Sequence, residues 1–185
     1  MTSYLRIGFF AFLAVAFGLV STAATASAQD RSNPYEIWVN KKWDYAAEGY
    51  DVTSYFSEDD AGQLTATAGE PVKGDPQFAA TVANGTYIFA SQENLDRFLA
   101  EPAKYSPQYG GHCAYALGKH GYFVHGDPEA WHVSEDGKLY FNLKSSIQKK
   151  WFKKKAEYIT TADPRWTEKF PTSSAPVVAS GAPAL

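Results

Sequence analysis

The chain has 185 residues, with 17 Lys and Arg against 20 Asp and Glu, giving a net charge of −3. That mildly acidic balance excludes a polybasic nucleic-acid binder, and the length suits one compact domain. A single cysteine, Cys113, excludes an internal disulfide.

One basic side chain, Arg6, precedes an apolar run from Ile7 to Val20. The run is shorter than the about 18–20 residues that cross a bilayer. Ala26-Ser27-Ala28 then puts small side chains first and third before a cut. Residues 1–28 are therefore expected to be a cleaved signal peptide, with Gln29 the new N-terminus and the mature protein periplasmic or secreted. No later segment is apolar enough to span a membrane. The folded body is expected over residues 35–170. The Pro-, Ser-, Ala- and Gly-rich segment 171–185 is expected to be a disordered tail.

Within the body, Trp43–Glu48 looks helical, and Gly49–Phe56 reads as a turn or short strand. Gln63–Thr67 reads as a strand. Phe78–Val82 and Thr86–Ala90 flank Asn84-Gly85, a tight-hairpin signal. Ser91 stands at a helix N-cap position, with Glu93 in the first turn. Leu95, Phe98 and Leu99 form an apolar stripe, and Pro102 ends that helix. Gly110-Gly111 turns the chain into a short helix from His112 to Leu117, ended by Gly118 or Gly121. Trp131–Val133 and Leu139–Asn142 suggest a second hairpin across Glu135-Asp136-Gly137. Ser145–Thr161 reads as one long helix. Its Ile147, Trp151, Tyr158 and Ile159 face the core, and Lys149, Lys150, Lys153, Lys154 and Lys155 face solvent. The lysine run is first a solvated face and second a docking surface. The expected fold class is α+β, with small β-hairpins packed against helices in one domain. No internal repeat, phosphate loop or dinucleotide fingerprint is visible.

Several stretches together resemble one family. They are Gly49-Tyr50-Asp51 through Phe56, Tyr87-Ile88-Phe89-Ala90-Ser91, Phe98, and Pro102-Ala103-Lys104-Tyr105. Gly110-Gly111-His112-Cys113-Ala114, Asp127-Pro128-Glu129-Ala130-Trp131 and Asp136-Gly137-Lys138-Leu139-Tyr140 extend the pattern. The combination resembles the YHS domain family, in its exported YHS domain-containing (seleno)protein branch, over about residues 50–163. The resemblance implies a metal-binding fold related to copper handling. It also implies cysteines at three positions that here hold Ser54, Ala90 and Asn94. Alanine cannot ligate, and neutral Ser and Asn are poor ligands for soft metals. In this branch some relatives carry selenocysteine at the position of Cys113, which implies a chemical role there.

Cys113 follows two glycines and opens a helix, where partial positive charge is expected to lower a thiol's pKa. His112, His120, His125 and His132 lie near it in sequence, and thiolate with imidazole suits copper or zinc. Neighbours on a helix point about 100° apart, which separates His112 from Cys113. Asp51 lies in the segment that supplies a ligand in the family, and Asp127 precedes proline as a cap or turn residue. The leading expectation is a copper or zinc ion held by Cys113, His112, His125 and Asp51. The second is a thiol-redox protein using Cys113. The third is a non-catalytic module that binds a small ligand or protein through its aromatics.

Overall fold

The computed structural model describes residues 37, 39, 45–82 and 85–170, and the backbone of 177–180. The expected signal peptide, Trp43 and the hairpin residue Asn84 lie outside the described residues. The fold is α+β. A short hairpin joins β1 (Phe56–Glu58) to β2 (Leu64–Ala66). A longer one joins β3 (Asp75–Val82) to β4 (Gly85–Phe89), followed by helices α1 (Gln92–Ala100) and α2 (Pro102–Tyr105). Helix α3 (Ala114–His120) leads to the hairpin of β5 (Asp127–Val133) and β6 (Leu139–Asn142). Helices α4 (Ser145–Phe152) and α5 (Lys155–Lys169) follow. Among the described residues no helix is long and apolar enough to cross a membrane.

Three expectations change. The stretch before Gly49 is not α-helical, because Ala47 and Glu48 adopt left-handed backbone (φ 50° and 52°) in a 3-10 turn. The long C-terminal helix is two helices, broken at Lys154 (φ −145°, ψ 37°), and the second runs on to Lys169. Part of the expected tail is ordered: β7 (Val177–Ser180) pairs antiparallel with β3, making the sheet order β4-β3-β7.

A fourth change concerns the architecture itself. The molecule is built from two halves with one plan. Each opens on three residues of positive φ: Ala47, Glu48 and Gly49 in the first, Tyr109, Gly110 and Gly111 in the second. Tyr50 N–H then donates to Ala47 O, and His112 N–H to Tyr109 O, both at 2.9 Å. A one-pair antiparallel bridge comes next, Tyr50↔Lys73 against His112↔His125. The bonds around it correspond one for one: Asp51 N to Val72 O and Gly74 N to Gly49 O, against Cys113 N to Val124 O and Gly126 N to Gly111 O. Gly74 and Gly126 are equivalent. A Cβ at Gly74 would lie 2.4 Å from the Ile88 carbonyl, and one at Gly126 2.5 Å from Phe141 Cβ, and Ile88 and Phe141 are themselves equivalent.

The hairpins follow suit. Asp75-Pro76 and Asp127-Pro128 start the first strands, and each Asp Oδ1 accepts the N–H two residues on at 2.9 Å. The pairing then slips at the same place, between Asp75 and Ala79 and between Asp127 and Trp131. A strand tyrosine packs on a helix aromatic in both: Tyr87 on Phe98 at 5.3 Å, and Tyr140 on Trp151 at 5.5 Å. The helix pair breaks at Glu101 (φ −142°, ψ 65°) as it does at Lys154.

Each half builds a core. The first gathers Tyr55, Tyr87, Phe89 and Phe98, and the second gathers Tyr109, Leu117, Tyr140 and Trp151 around Cys113. Strand β6 divides them and is buried on both faces. Leu139 and Phe141 enter the first core and Tyr140 the second, as a period of two requires.

Candidate functional site

The corresponding point of each half carries the chemistry. In the first half it is Asp51, fully buried, the N-cap of the 3-10 turn Val52–Tyr55. Its Oδ1 accepts Thr53 N–H at 2.9 Å and Thr53 Oγ1–H at 2.7 Å. Its Oδ2 accepts Ala90 N–H at 2.8 Å and the Asn94 amide at 2.7 Å. Ser54 Oγ donates to the Asp51 carbonyl at 2.6 Å and accepts Val72 N–H at 3.0 Å. Thus Ser54, Ala90 and Asn94, the positions to which the resemblance assigns cysteines, all touch Asp51. Four donors occupy this carboxylate, so it is a fastener for three segments and offers a metal little.

In the second half the point is Cys113, 0% exposed and the N-cap of α3. Sγ accepts Leu143 N–H at 3.1 Å and Ala116 N–H at 3.4 Å. Leu143 is the counterpart of Ala90, so the strand-end amide that serves Asp51 in one half serves the thiol in the other. The expectation of a lowered pKa fails. Burial in the aromatic core pushes the thiol up, and the amides of Ala116, Leu143 and Tyr115 offset only part of that.

Asn142, fully buried, stands beside the sulfur. Its Oδ1 accepts Tyr115 N–H at 3.2 Å, an amide that also reaches Sγ. Its Nδ2 has no hydrogen-bond partner among the described residues, and neither has Trp151 Nε1. Both residues adjoin the same core, and both groups are donors.

The histidines do not converge on the sulfur. His112 is buried against Phe123 and Trp166, and its Nδ1–H donates to Tyr109 O at 2.8 Å. His125 is exposed and pairs with His112 through backbone. His120 stacks on Tyr122 at 5.5 Å. His132 meets the Trp151 and Phe152 rings, with Lys155 Nζ 3.3 Å from Nε2. Burial, and then Lys155, pull its pKa down. Among the described residues no three His, Cys, Asp or Glu side chains are grouped to hold a metal. The expected set of Cys113, His112, His125 and Asp51 is thus not gathered into such a group among the described residues, and the Asp51 carboxylate is occupied by four donors of its own.

Sequence reasoning missed Asn142 and Leu143. The signal for both was positional, the equivalence of Phe89-Ala90 with Asn142-Leu143 at the two strand ends. In comparisons with known proteins, no family model, curated protein or solved structure matches the chain.

Proposed function

We propose that the protein is an exported, oxidant-responsive thiol protein of YHS-like build, with Cys113 as the reacting group. One observation carries this reading. The sulfur sits in a donor-lined cradle whose counterpart in the first half holds a carboxylate. Such a cradle favours an anion, and the neighbouring Asn142 keeps in Nδ2 a donor without a partner among the described residues, which an oxygen added to the sulfur would recruit.

The chemistry needs a hydroperoxide. The thiolate attacks one peroxide oxygen, an S–O bond forms, and the O–O bond breaks. The sulfur loses two electrons, the peroxide gains them, and hydroxide leaves. A second peroxide oxidises the sulfenic acid to a sulfinate, whose two oxygens and single charge mimic a carboxylate. Burial keeps the thiol protonated at neutral pH, so the reaction speeds up as pH rises.

The test uses the chain from Gln29 onward, which retains every described residue and contains no methionine, since the only one is Met1. Peroxide treatment followed by intact-mass measurement is expected to add one and then two oxygen atoms, and to add none to Cys113→Ser. A chain that gains no oxygen while its urea-unfolded form does would refute the proposal. So would stoichiometric copper or zinc that Cys113→Ser loses, which would restore the metal reading.

A further inference from the structure

The face formed by α4 and the start of α5 is independent of the chemistry at Cys113. Residues 144–155 contain six lysines and no acidic residue, in a chain whose acids outnumber its bases. Trp151 points into the core and is fully buried. Lys149, Phe152 and Lys153 fall on one outer stripe at i, i+3 and i+4, with Lys150 beside them. Phe152 is 46% exposed, with its ring edge-on to His132 at 5.0 Å.

Ion pairing accounts for only two of the lysines: Lys154 bonds Glu157 at 3.0 Å and Lys155 bonds Glu135 at 2.8 Å. Lys144, Lys149, Lys150 and Lys153 take part in no ion pair among the described residues. Lys119, at the end of α3, lies within electrostatic reach of Lys154 and extends the patch.

The first half shows that the fold does not ask for these lysines. At the positions of Lys149, Lys150, Phe152, Lys153 and Lys154 it carries Asp96, Arg97, Leu99, Ala100 and Glu101. The same helix is thus built with mixed charge and a partly buried leucine in one half, and in the other with lysines of which only Lys154 is ion-paired, around a half-exposed ring.

We infer that this face docks on an anionic lipid surface. Lysines held near phosphate head groups with an aromatic ring between them suit the bilayer interface, where the ring enters the acyl boundary and the ammonium groups stay at head-group level. Each lysine near such a surface strengthens binding about fivefold.

The experiment is vesicle flotation of the chain from Gln29 onward. One set of vesicles is phosphatidylcholine, and the other adds phosphatidylglycerol. Binding is expected only with phosphatidylglycerol and is lost in high salt. The triple variant Lys149→Gln, Lys150→Gln, Lys153→Gln is expected to weaken it about a hundredfold, and Phe152→Gln about tenfold. All four side chains are exposed, so circular dichroism is expected to show an unchanged fold. Absence of binding to the phosphatidylglycerol vesicles, equal binding to both sets, or binding unchanged in the triple variant each overturns the inference. So does binding to poly-glutamate without binding to vesicles, which would mark an acidic protein as the partner.

Discussion

Asp51 and Cys113 occupy equivalent turns, yet their surroundings are completed to different degrees. At Asp51 four donors meet two oxygens, and the partners come from the turn, the end of β4 and the first turn of α1. At Cys113 one sulfur meets backbone donors while the Asn142 amide beside it keeps a hydrogen without an acceptor. A buried polar group without a partner costs about 1–3 kcal/mol, so the second centre carries a debit that the first does not. The difference separates a fastener from a site with capacity to spare.

The largest effect comes from breaking the completed centre. Asp51→Ala removes every acceptor, leaving the Ala90 N–H, Thr53 N–H, Thr53 Oγ1–H and Asn94 amide donors without it. The expected loss is about 4 kcal/mol, read as a shift of the urea midpoint. A loss below about 1 kcal/mol would show that these bonds do not hold the segments together.

The spare capacity is tested by importing the first half's solution into the second. A charge placed in a core normally unfolds a small domain. Cys113→Asp is nevertheless expected to fold, and to be within about 2 kcal/mol of the parent, because the Leu143 and Tyr115 N–H groups stand where those of Ala90 and Thr53 serve Asp51, with Ala116 N–H beside them. Cys113→Leu offers those donors nothing and is expected to be the less stable of the two. The reverse order would refute the equivalence of the centres as anion cradles.

Elements whose cause is local were legible. Ser91 caps α1 through Asn94 N–H, and Gly121 ends α3 in left-handed backbone at φ 73°; both follow from side-chain chemistry within a few residues. The second hairpin was equally plain from its alternation. The two-half plan was hidden because repeats announce themselves by a fixed period, and here the period changes twice. The first half inserts the β1–β2 hairpin where the second has only α3 and a short connection. The second half in turn has the longer hairpin turn, Ser134–Lys138. What survives in sequence is sparse: Gly49 and Gly111, Val72 and Val124, Asp75-Pro76 and Asp127-Pro128, Tyr87 and Tyr140. Asp51 was legible as a site position and misread in role, because its saturation comes from Ala90 and Asn94, about forty residues away. At Cys113 the start of α3 does favour a thiolate, but the aromatic core that closes over the sulfur comes from residues distant in sequence and raises the pKa by more.

The smallest effect isolates that burial. An unfolded thiol gives up its proton near pH ~8.5, whereas the folded one holds it to higher pH. Above ~8.5 the folded state therefore binds more protons than the unfolded, and stability falls as pH rises. The core tyrosines do not blur this window, because burial pushes Tyr55, Tyr109 and Tyr140 upward as well and their unfolded values lie near 10. Between pH ~8.5 and ~10 the decline belongs mainly to Cys113. Urea unfolding across this interval is expected to show a falling free energy for the parent and a flatter one for Cys113→Ala. Parallel curves would mean that the sulfur ionises in the folded state as readily as in the unfolded, so that the amides of Ala116 and Leu143 outweigh the core. The cradle would then be holding a thiolate before any oxidant arrives.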